Sequence, residues 1–503
     1  RQRQMCIRDR AKPMSHDQQL YQYLYQTITT QICNGTFIYG QEFPSQREIC
    51  QRYNAGITTV RKVMKLLAEE GYIRTAQGQP SVVTYRTSKE AHAEFLVQNR
   101  EEIADAYKGL GLLMPILYRE GAKRCNESDL YWLDKILNHI SEQMELPDHY
   151  QLANAFFTAL LRPLKNQLII DLEFDSENYL HVPFVPIPGI DNPFATTFER
   201  TKTWFSKAII QIKQKQFDDF YADASKLYRD SGERVDNYLY ALGKYTESNS
   251  NKNEDIRWFR IKGHSELYSR LAMTIVRRII AGEFDNEPYL PSIPKLMEEY
   301  NITKNTARRA VSLLNSLGIA QTIDKKGSII TPEGYTSFKS ELDLAEPVIQ
   351  ERLSFFLEAL QIVALTARCC ASSISFIPDY LGQSVESRLR TASDNRITPL
   401  SFQLLMNAFI QLLPYQSLKN IFRQLDDLLI WGHYMQAIDK SYYPDYSEIA
   451  LAMEAVITAL KAQRSDALPD AFSNAFALIY QDVCMVLSKL PSGSIFNTLK
   501  DPE

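Results

Sequence analysis

The stretch Pro44–Tyr72, PSQREICQRYNAGITTVRKVMKLLAEEGY, decides the reading of this chain. Pro44-Ser45 opens a helix. Ser45 can cap its N-terminus, and Glu48, three residues on, completes a capping box. Asn54-Ala55-Gly56 punctuates the stretch as a turn. A second helix is expected from about Thr58 to Glu70, with Gly71 ending it. In that helix Val60, Val63, Met64 and Leu67 form an apolar stripe, and Thr58, Arg61, Lys62 and Lys65 fall on the opposite face at helical spacing. Upstream, Leu20, Leu24, Ile28 and Ile32 recur every four residues, marking an earlier helix that Asn34-Gly35 should stop. Downstream, Tyr72-Ile73 and Val82-Val83 read as two short strands around the loop TAQGQPS. Helix, helix–turn–helix and a two-stranded wing make a winged helix. Its apolar stripe must anchor the last helix, so the basic face must point out. Such a helix fits the major groove of B-DNA, where hydroxyls and guanidinium groups read base edges or grip phosphates.

The same pattern returns. The segment starting at Leu20 matches the segment starting at Leu267 at an ungapped offset of 247 residues. Pro44/Pro291, Ser45/Ser292, Tyr53/Tyr300, Arg61/Arg308 and Gly71/Gly318 are identical pairs. Fainter echoes follow: Asn154-Ala155-Phe156 with Asn407-Ala408-Phe409, and Ala208-Ile209-Ile210 with Ala455-Val456-Ile457. The chain is therefore expected to be an internal tandem duplication of a two-domain unit. In the second head Ala307, Ala310, Val311 and Leu314 make the stripe, and Asn305, Arg308 and Arg309 the outward face. Its wing loop carries Lys325, Lys326 and Gly327.

The fold class expected is mainly α: two winged helix-turn-helix domains, each followed by an all-α helical bundle. Residues 14–87 form the first head, 88–245 the first bundle, 264–335 the second head and 336–495 the second bundle. The polar run Thr246–Asp255 opens a linker over 246–263. Residues 1–13 read as a non-native leader, with Met14 as the natural start. The bundles are rich in Leu, Ala, Ile, Phe, Gln and Glu at helical spacing. Four prolines in HVPFVPIPGIDNP (181–193) forbid helix there, and a packed loop or an interface arm is expected.

Charge is distributed unevenly. Residues 20–86 and 267–330 each carry net +3, whereas the whole chain of 503 residues carries −4. Positive charge thus gathers on the heads, as nucleic-acid binding requires. The seven cysteines are scattered without a CxxC pair, which suits a reducing cytosol and provides no zinc site. No run of about 20 apolar residues stands out, so no membrane partner is expected.

The heads resemble the GntR family of bacterial transcriptional regulators. The resemblance rests on Pro44-Ser45-Gln46-Arg47-Glu48-Ile49, on Thr58-Thr59-Val60-Arg61, on Gly71 and on a wing with Gly78-Gln79-Pro80-Ser81, which is most similar to that of the fatty-acid-responsive branch. It implies that Arg47, Thr59, Arg61 and the Gly78 wing contact an operator. The family often has Arg where Ile57 stands. The second head departs further: Pro294 replaces the helix-two Arg, and Asn305-Thr306-Ala307-Arg308 replaces the Thr-Thr-Val-Arg run, with Lys304 able to supply the charge missing at Ile57. The expected DNA-binding set is accordingly Ser45, Arg47, Thr58, Thr59, Arg61, Lys62, Lys65 and Gly78, with Lys304, Asn305, Thr306, Arg308, Arg309, Lys325, Lys326 and Gly327.

In such regulators a helical FCD-type domain follows the head and binds a small carboxylate, often through a metal held by Asp and three His. The bundles resemble it in helix pattern only. His139, His149 and His181 lack helical pairing, and His433 stands alone in the second bundle, so neither metal nor cofactor is expected. A small-molecule effector of unidentified chemistry is compatible with an apolar pocket between helices. The resemblance implies double-stranded DNA as partner, cytoplasmic location, and a palindromic site. One chain with two heads would satisfy that site as a pseudo-dimer, and a homodimer with four heads is the other arrangement. An aminotransferase-like enzyme, which some family members carry, needs βαβ alternation and Gly-rich phosphate loops that this sequence lacks. The rival reading is a helical scaffold whose winged helices bind protein.

Overall fold

The computed structural model describes residues 21–488 apart from 22–23, 26, 30, 33–36, 38, 54, 77–78, 87–88, 141–145, 181, 187–188, 190, 246–266, 332–345, 393–398 and 438–446. The expected leader, the 246–263 linker, the Asn34-Gly35 helix stop, Gly78 and His181 lie outside the described residues.

The first head begins with helical residues between 21 and 32, whose Leu24, Ile28 and Ile32 are buried as the four-residue recurrence demands. Strand β1 (Glu42–Phe43), helix α1 (Gln46–Arg52), helix α2 (Ile57–Glu69) and strands β2 (Ile73–Arg74) and β3 (Ser81–Val83) follow. The capping box forms: the Glu48 N–H donates to Ser45 Oγ (3.3 Å), and the Ser45 N–H donates to Glu48 Oε2 (2.7 Å). Gly71 takes φ +82°, a turn only glycine makes without strain, and stops α2. Sequence pattern predicted a two-stranded wing. The sheet has three strands in the order β1-β3-β2, antiparallel, with Glu42 opposite Val82 and Ile73 opposite Val83. The extra strand is two residues long, too short to show alternation.

The first bundle comprises α3 (Lys89–Gln98), α4 (Arg100–Lys123), α5 (Glu127–His139), α6 (Leu146–Leu161), α7 (Gln167–Leu180), α8 (Thr197–Lys213) and α9 (Phe217–Tyr245). Within the proline-rich stretch, Val182 and Val185 are buried against α3 and α9, and the Val185 N–H donates to the Tyr238 hydroxyl (2.8 Å). This stretch is a packed loop.

The second head repeats the first, with α10 (Leu267–Ile280), α11 (Ile293–Tyr300), α12 (Lys304–Ser316) and the antiparallel hairpin β4 (Ala320–Ile323) and β5 (Gly327–Ile330). A bridge from Tyr289 to Ile329 marks the place of β1. The second bundle holds α13 (Pro347–Ala371), α14 (Asp379–Ala392), α15 (Pro399–Leu412), α16 (Gln416–Leu428), α17 (Ser447–Lys461) and α18 (Leu468–Ser488). Each bundle is built on its first long helix packed along its last: α4 on α9, α13 on α18. The bundles also pack on one another, α4 against α13 and α16, and α13 against α7.

The absence of a membrane-length apolar run needs correction. Ile349–Ala371 and Leu468–Ser488 are both long and apolar enough to cross a bilayer. Here α13 is a core helix, apolar on most sides because it is packed by both bundles, whereas α18 buries one side, with Phe472, Phe476, Tyr480 and Leu487 against the core.

Candidate nucleic-acid interface

The candidate interface comprises the outward faces of α2 and α12. Val60, Val63, Met64 and Leu67 are buried in the first head's own core, and this fixes the roll of α2. Thr58, Arg61, Lys62 and Lys65 are consequently exposed, as are Ser45 and Arg47 on the preceding cap and helix. Arg61 is oriented: its Nε–H donates to Gln46 Oε1 (3.2 Å). Lys65 lies 3.6 Å from Glu69, both heavily solvated, so the pair is weak and the ammonium remains available. Ile57 is 42% exposed at the N-terminal end of the same helix.

Thr59 does not join this face. It is only 7% exposed, because position 59 stands one turn before Val63 and shares its side of the helix. The hydroxyl of Thr58 takes the outward place.

In the second head Ala307, Ala310, Val311 and Leu314 are buried beneath α12, and Lys304, Asn305, Arg308 and Arg309 are exposed. Thr303 caps the helix by accepting from the Thr306 N–H (3.2 Å), and the two hydroxyls lie 2.8 Å apart. Thr306 is therefore tied into the cap and half-buried. The Arg309 guanidinium stacks 3.9 Å from the Tyr268 ring centroid. Ile293 occupies the position matching Gln46, so Arg308 lacks the amide that orients Arg61. The wing tip is well defined. Lys325 is left-handed (φ 59°), Gly327 has φ 112°, and the Lys326 N–H donates to the Ile323 carbonyl (3.1 Å). Lys325, Lys326 and Gly327 are all exposed. The wing is bound to the reading helix: Asn315 Nδ2 donates to Thr322 Oγ1 (2.7 Å), which lies 2.8 Å from Ser328 Oγ.

Sequence reasoning missed two contributors. Gln46 sits between two residues already singled out, and its role appears only when α1 and α2 cross. Arg86 stacks over the exposed Tyr39 ring (3.9 Å), adding a cation beyond the first wing's last strand.

Among the described residues no group of three or more His, Cys, Asp or Glu side chains has metal-site geometry. His433 is buried, its ring Nε2 3.2 Å from Gln403 Oε1, and burial pushes its pKa down to about 4. The polar cluster inside the first bundle is Tyr118, Glu173 and Tyr228. The Tyr118 hydroxyl donates to Glu173 Oε2 (2.6 Å), and burial pushes that carboxyl up to about 7. Open grooves of about 380 Å³ between α8 and α9 and of about 450 Å³ along α17 and the turn that follows it, from Leu451 to Ala467, are present among the described residues.

Two heads with a stripe-anchored helix, a basic outward face and a β wing are winged helix-turn-helix domains. Residues 20–83 and 267–330 each match the model of "Bacterial regulatory proteins, gntR family", and both heads belong to that family. Over 64 residues the chain is 39% identical to the "Uncharacterized HTH-type transcriptional regulator YurK" of Bacillus subtilis, covering 13% of this chain and 26% of that one. Over 154 residues it is 24% identical to the "Uxu operon regulator" of Haemophilus influenzae, covering 30% and 58%. The chain thus spans roughly a quarter to three fifths of these relatives' lengths. Among solved structures, "E. coli McbR/YncC" aligns over 46% of this chain and 99% of that one, at 15% identity and a TM-score of 0.25, too loose an overlay to bear on the bundles.

Proposed function

We propose that this chain is a sequence-specific, DNA-binding transcriptional regulator of the GntR type. Its two winged helices act as one pseudo-dimer on an imperfect palindrome of double-stranded DNA, and its helical domains pair the heads and receive a small-molecule effector. The observation that carries the reading is the pair of exposed basic helix faces, Thr58/Arg61/Lys62/Lys65 and Lys304/Asn305/Arg308/Arg309, each on a helix whose opposite side is buried. The mutual packing of the bundles supports action as a single unit, since the two halves of the chain meet through it. The faces differ in sequence, so the two half-sites should differ.

Selection of binding sites from random DNA, followed by footprinting and a solution mass measurement on the same sample, tests this. The expected result is a two-half-site footprint from a monomeric chain. A monomer protecting one half-site would defeat the pseudo-dimer, and a mass of two chains would favour the homodimer with four heads. Binding with no salt dependence would instead favour a protein-binding scaffold, because phosphate contacts release counterions.

A further inference from the structure

The contact between the bundles carries information of its own, independent of what the heads bind. Helices α4 and α13 correspond at the 247-residue offset, which aligns the buried pairs Leu110/Leu357, Leu113/Leu360 and Ile116/Val363. Each of these helices sends a carboxylate to the N-terminus of a helix in the other copy. Asp105 on α4 accepts from the Gln416 N–H (2.9 Å) and the Ser417 N–H (2.7 Å), the first two donors of α16. Glu358 on α13 accepts from the Leu168 N–H (3.0 Å), one of the first donors of α7. Free N–H groups and the helix dipole make both places favourable for an anion. The two halves thus cap one another in trans.

The capping residues are not equivalent. The offset pairs Asp105 with Arg352, and Glu358 with Gly111. Two further positions differ in the same sense. Gly109 allows α16 to approach so closely that a Cβ there would lie 2.2 Å from Ser417 Oγ, and its counterpart is Phe356. Buried Asn166 donates to the Glu358 carbonyl (2.9 Å) and to Gln361 Oε1 (2.7 Å), and the counterpart of Gln361 is Met114. Two second copies meeting in this geometry would drive Phe356 into α16 and set the Arg352 cation at a helix N-terminus. Two first copies would leave the α7 N-terminus facing Gly111, and Asn166 facing a thioether instead of an amide oxygen.

We infer that the bundle contact is a heterotypic recognition surface: the first half of the chain is shaped to pair with the second half and neither half with itself. Covalent linkage is then not what selects the partner.

The test uses the full chain with a protease site placed in the 246–263 segment, cleaved after folding and examined by native mass spectrometry. One complex containing one copy of each half is expected at micromolar concentration. Separated halves, or first–first and second–second pairs in the proportions of random reassortment, would overturn the inference. Asp105→Asn and Glu358→Gln in the same cleavable chain should each raise the dissociation constant between halves about tenfold, with circular dichroism at the wild-type value. Unchanged dissociation constants in both variants would remove the capping carboxylates from the recognition. If either variant loses its helical signal, the uncleaved-versus-cleaved species distribution of the wild-type chain still decides.

Discussion

The two heads share a fold and an offset but are attached in different ways. The first keeps a core of its own, which the ring of Phe174 on α7 meets edge-on at 5.5 Å from Tyr53. The second head has no separate core: Leu271, Ala272, Ile275, Val276 and Leu314 belong to one apolar cluster with both bundles. Ion pairs reinforce the join. Arg277 lies 2.6 Å from Asp426 and 2.8 Å from Asp427 on α16, and Arg388 lies 3.6 Å from Asp285. The position matching Arg277 in the first head is Thr30, which carries no charge to make such a pair. The same winged helix can therefore be borne on a separate core or fused to its support, and the choice lies in a few residues of its first helix, remote from the exposed basic face.

The largest effect should come from removing that join. Arg277→Ala leaves Asp426 buried without its cation and should lower stability by about 3–5 kcal/mol, read by urea unfolding with hydrogen exchange in α10. Burial already pushes the Asp426 carboxyl up to about 6, with Arg277 opposing the rise, and without Arg277 it should rise further. The folded state then holds a proton that the unfolded state releases near pH 4, so stability falls as pH rises through that window. The deficit of the variant should be larger at pH 8 than at pH 5, and a pH-independent deficit would mean that Asp426 is not the group left stranded.

The reading faces are expected to differ less than the attachments. Arg61→Ala should weaken specific binding by about 1–3 kcal/mol in gel-shift titration. Arg308→Ala should cost about 1 kcal/mol or less, because Ile293 cannot orient it as Gln46 orients Arg61. Equal losses would erase that distinction. Gln46→Ala should sharpen it, taking away roughly 0.5–1 kcal/mol of the Arg61 contribution while leaving the second head's half-site untouched. Smallest of all, Lys326→Ala should leave sequence preference intact and reduce the slope of log affinity against log salt by about 1.

Much of the heads was legible because their signals are local. Ser45 and Glu48 specify a helix start within four residues, and the stripe from Val60 to Leu67 sets which side of α2 faces out. Thr59 was assigned to the DNA face through a family motif, although its helical position relative to Val63 already put it inside. The bundles were legible as helices and not as a pair. Asp105 and Glu358 look like ordinary surface charges in the sequence, and their meaning depends on helix termini 190 or more residues away. Apolarity misled in the opposite sense at α13, where packing from several sides makes a core helix look like a membrane span.

Between the second reading helix and the bundles runs a short column of stacked groups. Arg309 lies on Tyr268, Arg352 approaches that ring from the bundle side at 5.8 Å, and Arg352 in turn lies 4.8 Å from Trp431. Any molecule that displaced α13 would tug on this column and, if the proposed DNA-binding reading holds, reset a guanidinium offered to the duplex. On that proposed reading, thermodynamic reciprocity obliges DNA to alter that molecule's affinity by the same factor, so that an operator would act on the bundle as much as the reverse.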